Sequence, residues 1–210
     1  INHWGIRPAE MGPVVSPGKY SVRLTVNGKS YTQPITIMQD PRVPAKQADL
    51  EASLKMQLRI RSDIDKVSQM VNRIEWMRNQ LEDSAKMFAS EKKEEQLKSA
   101  RAMDQKMKDV EYKLVSEFGT NSDDKYYSEP YKIYLNLIWL NGEVGTGAGD
   151  VAGGVNFRPT DASVTVLKGI EKKLAAAEAD YRKLMTTEVS AFNKSIAGTG
   201  MAALATPAAR

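Results

Sequence analysis

The stretch ADLEASLKMQLRIRSDIDKVSQMVNRIEWMRNQL, residues 48–81, decides the fold class of this chain. Leu50, Leu54, Ile60, Ile64, Val67, Val71, Ile74, Met77 and Leu81 follow one another mostly at intervals of three or four. That spacing lines one face of an α-helix with apolar side chains, and the charged and amide residues between them occupy the other faces. One long amphipathic helix is predicted from about Ala48. A second is predicted over 90–118, with Leu97, Ala100, Met103, Met107, Val110, Leu114 and Phe118 on its apolar face and Gly119 placed to end it. No Gly or Pro marks the turn between them, which falls within 82–90.

Downstream, Ser128 can cap a short helix with Pro130 in its first turn. Tyr127, Tyr131, Tyr134, Ile138 and Trp139 suggest deep packing. Thr160-Asp-Ala-Ser163 opens a last long helix bearing Val164, Leu167, Ile170, Leu174, Ala177, Tyr181, Leu184, Val189 and Phe192, and ending near Ile196. The Ala/Gly-rich residues 197–210 offer little to bury and read as a mobile tail.

Upstream the period changes to two. Tyr20, Val22, Leu24 and Val26 alternate with Ser21, Arg23 and Thr25, the pattern of a half-buried strand. Asn27-Gly28 supplies a type I′ turn, and Ile35 and Ile37 share a face of the returning strand. Pro34 has no N–H to give to a ladder, which places it at a bulge or an outer edge. Val14 and Val15 suggest a further short strand, and Asp40-Pro-Arg-Val-Pro44 reads as an extended connection. A two-stranded ribbon is marginal alone, so this segment needs a larger sheet or the helices behind it.

The reading is therefore α+β: a β segment over 1–44, then an antiparallel bundle of three long helices and one short helix over 45–196, then the tail.

The 210 residues carry a formal charge of +4, with Lys and Arg interleaved among Asp and Glu, as in Glu91-Lys-Lys-Glu-Glu-Gln-Leu-Lys98. This is a solvated helix face and implies no nucleic acid partner. No apolar run reaches the roughly 20 residues that cross a bilayer. Zero cysteines exclude disulfides and thiolate chemistry, and the single His3 cannot build a multi-histidine metal site. The ten methionines fall largely at helical core spacing. Catalytic, cofactor-binding and metal-binding residues are accordingly assigned to none.

The most distinctive segment is Trp139-Leu-Asn-Gly-Glu-Val-Gly-Thr-Gly-Ala-Gly-Asp-Val-Ala-Gly-Gly154. Its glycines are interleaved with Val144, Val151 and Ala152 and preceded by Leu137, Ile138 and Leu140, so it reads as a packed, shaped loop over 142–154, not a linker. Trp139, Asn141, Gly142, Glu143, Gly145, Gly147, Gly149, Asp150, Gly153 and Gly154 are assigned to this structural loop. Gly147 to Ala152 formally matches a dinucleotide fingerprint, but a helix precedes it where that fingerprint needs a strand. Glu143 and Asp150 near Trp139 could be drawn as an acid/base pair, yet their ordinary use is bonding loop N–H groups.

Gly12 to Lys29, Asp40-Pro-Arg-Val43 and the Trp139–Gly154 segment together resemble the C-terminal region of bacterial BNR-repeat glycosyl hydrolase-like and sortilin-like β-propeller proteins. The Pro17-Gly-Lys-Tyr-Ser-Val-Arg-Leu24 strand also looks like the end of an immunoglobulin-like or FlgD-like sandwich. The resemblance implies a non-catalytic C-terminal structural or interaction module whose partner is an upstream β-propeller or another extracytoplasmic protein. It also implies a periplasmic, secreted or cell-surface location. The alternative it leaves open is an accessory part of a sialidase-like glycosidase, with the active site and any bound glycan in the propeller, because no Asp-box repeat occurs here.

Overall fold

The computed structural model describes residues 6, 12–117, 129–145 and 157–205. An antiparallel hairpin, β1 (Gly18–Val26) and β2 (Lys29–Ile37), precedes four helical segments: α1 (Gln47–Ser90), α2 (Glu94–Leu114), α3 (Ile133–Val144) and α4 (Asp161–Lys183). A π-helical turn, Leu184–Glu188, carries α4 directly into α5 (Val189–Ser195). The fold is α+β, with three long helical legs or part-legs and one short helix.

The hairpin follows its sequence. Asn27 and Gly28 both have positive φ, 50° and 77°, which a type I′ turn requires. The register runs without a bulge from Val26↔Lys29 to Gly18↔Ile37. Of the two settings foreseen for Pro34, the outer edge is the one found. Counting from the hydrogen-bonded Val26–Lys29 pair, Pro34 lies in a non-hydrogen-bonded pair with Ser21, so its nitrogen faces away from β1.

Three local expectations change. Val14 and Val15 form no strand. Residues 40–44 make a turn instead of an extended connection: the Val43 N–H donates to the Asp40 carbonyl at 3.0 Å, and the Asp40 carboxylate accepts from both the backbone and guanidinium of Arg42. These hydrogen bonds with Arg42 hold the Asp40 carboxyl below its ordinary value. The third helix begins at Ile133 with Lys132 at its N-cap position; Ser128 lies outside the described residues.

Helix α1 runs on through the predicted turn region to Ser90, and the turn follows at 91–93. It ends in a Schellman motif, with Lys93 N–H donating to the Phe88 carbonyl, Lys92 N–H to Ala89, and Lys92 at φ 54° where glycine is usual. That choice of lysine is why no breaker announces the turn. At 44 residues α1 is about 66 Å long, roughly twice α2. Two cores form along it. The lower contains Met56 to Val71 of α1, Leu137 and Leu140 of α3, and Leu167 to Ala177 of α4. The upper contains Ile74 to Leu81 of α1, Ala100 to Val110 of α2, and Leu184, Val189 and Phe192. Helices α2 and α3 therefore follow each other down one leg of the bundle, each covering half of α1.

Cross-helix ion pairs give the directions. Arg59–Glu171 and Lys66–Glu178 rise together, so α4 runs parallel to α1, whereas Lys106–Glu188 and Lys113–Asp180 run in opposite senses, so α4 and the π turn after it are antiparallel to α2. The last leg starts as read, with the Ser163 N–H donating to Thr160 Oγ1 at 3.0 Å. The interval of five between Leu184 and Val189 falls on the π turn, which adds the residue needed to keep both side chains on the core face.

The residues after Ile196 read from composition as a tail with little to bury. Leu204 instead reaches 6% exposure in the upper core. Asn193 clamps it by accepting from the Leu204 N–H at 2.8 Å and donating to its carbonyl at 3.1 Å, and Gln80 treats Ala205 the same way. These paired amide contacts satisfy a backbone that has no secondary structure. Asn193→Ala should release the segment after Ile196 and cost about 1–3 kcal/mol. Limited proteolysis should then cut near Met201 well before the bundle unfolds.

Candidate functional site

The described part of the glycine segment is helical further than its composition suggests. Trp139, Asn141, Gly142 and Glu143 belong to the last turns of α3, which ends at Val144, so the loop begins at Gly145, not Gly142. Leu137, Leu140 and Val144 are buried, but Ile138 and Trp139 are exposed, Trp139 at 45%, which corrects the deep packing inferred from the aromatic run. Glu143 is exposed, so it points away from the buried face. Gly147, Gly149, Asp150, Gly153 and Gly154 lie outside the described residues, as does His3.

Gly145 shows what glycine does here. A Cβ at this position would lie 2.8 Å from the Asn141 carbonyl oxygen and 3.3 Å from Gln57 Oε1, too close for any side chain. Around it Gln57 joins three segments: its Oε1 accepts from the Val14 N–H, its Nε2 donates to Ser53 Oγ, and Ser53 Oγ donates to the Val144 carbonyl. The start of the glycine segment is thus a close backbone approach that ties α3 and the strand-leading segment to α1.

A buried ionic node joins α1 to α2 beside the upper core. Arg78 of α1 donates through Nε to Asp104 at 2.8 Å and through Nη1 to Glu111 at 2.6 Å, both on α2. Glu75 and Glu111 are fully buried. Burial opposes the Arg78 charge, but the Asp104 hydrogen bond and the Glu111 charge outweigh it and raise its pKa. The arrangement ties α1 to α2, and a cleft of about 410 Å³ lined by Arg78, Asp104, Lys108 and Tyr112 opens beside it.

A cleft of about 430 Å³ opens between the end of α2, the start of α3 and α4. Tyr112, Tyr131, Ile133 and Ile170 line it, and burial pushes the Tyr112 phenol up. Of its three lysines, Lys113 pairs with Asp180 at 2.8 Å and Lys132 with Glu129 at 3.0 Å, and Lys173 also lines the cleft. Among the described residues no group of three or more His, Asp or Glu side chains is placed to hold a metal ion.

The surface that stands out is the hairpin. By register, Tyr20, Val22, Leu24 and Val26 share a face with Ile35 and Tyr31. The alternation predicts this face to be half-buried, yet Val22, Val26, Tyr31 and Ile35 are exposed and Leu24 reaches 60%. The helices spend their apolar faces on each other and leave these five side chains exposed, with Tyr20 half-buried. Contiguous exposed apolar surface of this kind marks an interaction site.

No protein-family model matches this chain, and no curated protein or solved structure matches it. Among the described residues no helix is long and apolar enough to cross a membrane.

Proposed function

We propose that this chain is a non-catalytic C-terminal structural and interaction module of a larger bacterial extracytoplasmic β-propeller protein. It works in the periplasm or at the cell surface, and the hairpin is its docking surface. The uncovered apolar face of β1 and β2 carries this reading. A ribbon of two strands is marginally stable in water unless a third strand, a second sheet or a helix covers it, and here the bundle leaves that cover to something else. The resemblance of the Gly12–Lys29 and Trp139–Gly154 segments to C-terminal regions of propeller proteins supplies the partner class.

The native polypeptide should have an intact mass well above the 23.3 kDa of this chain and carry propeller repeats upstream. Val22→Lys with Leu24→Lys should abolish association of the module with that upstream part. The same pair should change bundle stability by no more than about 0.5 kcal/mol, because neither residue touches the core. A native mass equal to that of this chain, or glycan turnover by the 210 residues alone, would overturn the proposal.

A further inference from the structure

We propose that the outer edge of β1 accepts an extended acidic strand from the partner, one with Asp or Glu at positions i and i+4 and apolar residues between them on the opposite face. This rests on the hairpin being the docking surface and specifies how it is read.

The two edges of the hairpin are not equivalent. Because Val26 and Lys29 close the turn as a hydrogen-bonded pair, alternate pairs outward from them turn their backbone groups to the free edges. On β1 these are Thr25, Arg23, Ser21 and Lys19, each with an N–H and a carbonyl. On β2 they are Ser30, Thr32, Pro34 and Thr36, and Pro34 breaks the row because it has no N–H. Among the described residues neither edge carries a third strand. Only β1 offers an unbroken ladder for strand addition.

Charge decides what kind of strand fits. Between Gly18 and Ile37 the residues charged at neutral pH are Lys19, Arg23 and Lys29, with no Asp or Glu among them. Lys19 and Arg23 both fall at outward-bonding positions of β1 and project from the polar face, four residues apart. A strand added there places cross-strand neighbours on the same face. Carboxylates opposite Lys19 and Arg23 are therefore matched, while the alternate residues extend the apolar face of Tyr20, Val22, Leu24 and Val26. A second copy of this chain pairing edge to edge would set these cations against each other, which disfavours self-association.

The test uses the full chain with a peptide of alternating valine and glutamate, as long as β1 at 9 residues, and a valine–lysine counterpart. The acidic peptide should slow amide exchange at Lys19, Ser21, Arg23 and Thr25 by roughly tenfold at saturation, and the basic peptide should not. Ser21→Pro, which removes an outward N–H, should eliminate the effect; Thr32→Pro on the other edge should retain it. Lys19→Glu with Arg23→Glu should reverse the preference without touching the backbone, and so guards against a proline variant that misfolds. The proposal falls if neither peptide slows exchange, if both do so equally, if Ser30 and Thr32 are protected instead, or if the chain dimerises without peptide and protects the same amides. The assay reads the edge whether or not the native polypeptide carries a propeller, so its failure is separable from a failed intact-mass result.

Discussion

Replacing Arg78 by leucine should destabilise the bundle by about 3–5 kcal/mol, the range for removing one partner of a buried ion pair. The Arg78 side chain is 8% exposed and the Glu111 side chain it contacts is completely buried, so leucine would remove the guanidinium that compensates a buried carboxylate. Asp104 is the lesser casualty, because it is partly exposed and also pairs with Lys108 at 3.0 Å. Changing both partners, Arg78→Leu with Glu111→Leu, should recover most of the loss, since apolar replacement of a whole buried pair is often neutral or stabilising. Arg78→Lys should fall between, because one ammonium cannot reproduce a fork bonded to two carboxylates. Urea midpoints for the three variants provide the check. A single variant within about 1 kcal/mol of the parent would show that the node contributes little.

Leu137→Ala should cost about 2–5 kcal/mol, and its effect should be confined to one half of the molecule. Leu137 is fully buried in the lower core among Ile133, Leu140, Ile170 and Leu174, and no residue of α3 enters the upper core. The cavity would weaken α3, the first half of α1 and the first turns of α4, while Ala100 to Val110 keep their packing against Ile74 to Leu81. Hydrogen exchange should accelerate in the lower helices first, because cooperative units open separately when few contacts join them. Uniform acceleration across α2 as well would mean that the two cores unfold as one.

Much of this organisation was legible from single segments. The interval of three and four from Leu50 to Leu81 identified α1, and Thr160 with Ser163 identified the start of α4, because helix period and N-cap chemistry depend on neighbours within one turn. Tyr20 to Val26 followed by Asn27-Gly28 identified the hairpin for the same reason. The five-residue interval from Leu184 to Val189 was a visible sign of the π turn, though it takes the structure to show that the helix continues through it. Lys92 hid the α1–α2 turn because the left-handed position was occupied by a residue type that gives no signal. At Gly145 composition could say only that glycine mattered; the reason, a 2.8 Å approach to the Asn141 carbonyl with Gln57 of α1 packed beside it, needs the way α3 ends against α1.

The sequence by itself determined the helices, the hairpin and which faces of them are apolar, since hydrophobic periodicity is a local property. Only the tertiary structure decided which apolar faces meet. It placed α2 and α3 on one leg, drew Leu204 into the upper core through Asn193, and left Val22, Leu24 and Tyr31 uncovered. The physical reason is that burial is non-directional: an apolar face specifies that it should leave water, while its partner is chosen by helix lengths, register ions and the competing faces of the whole chain.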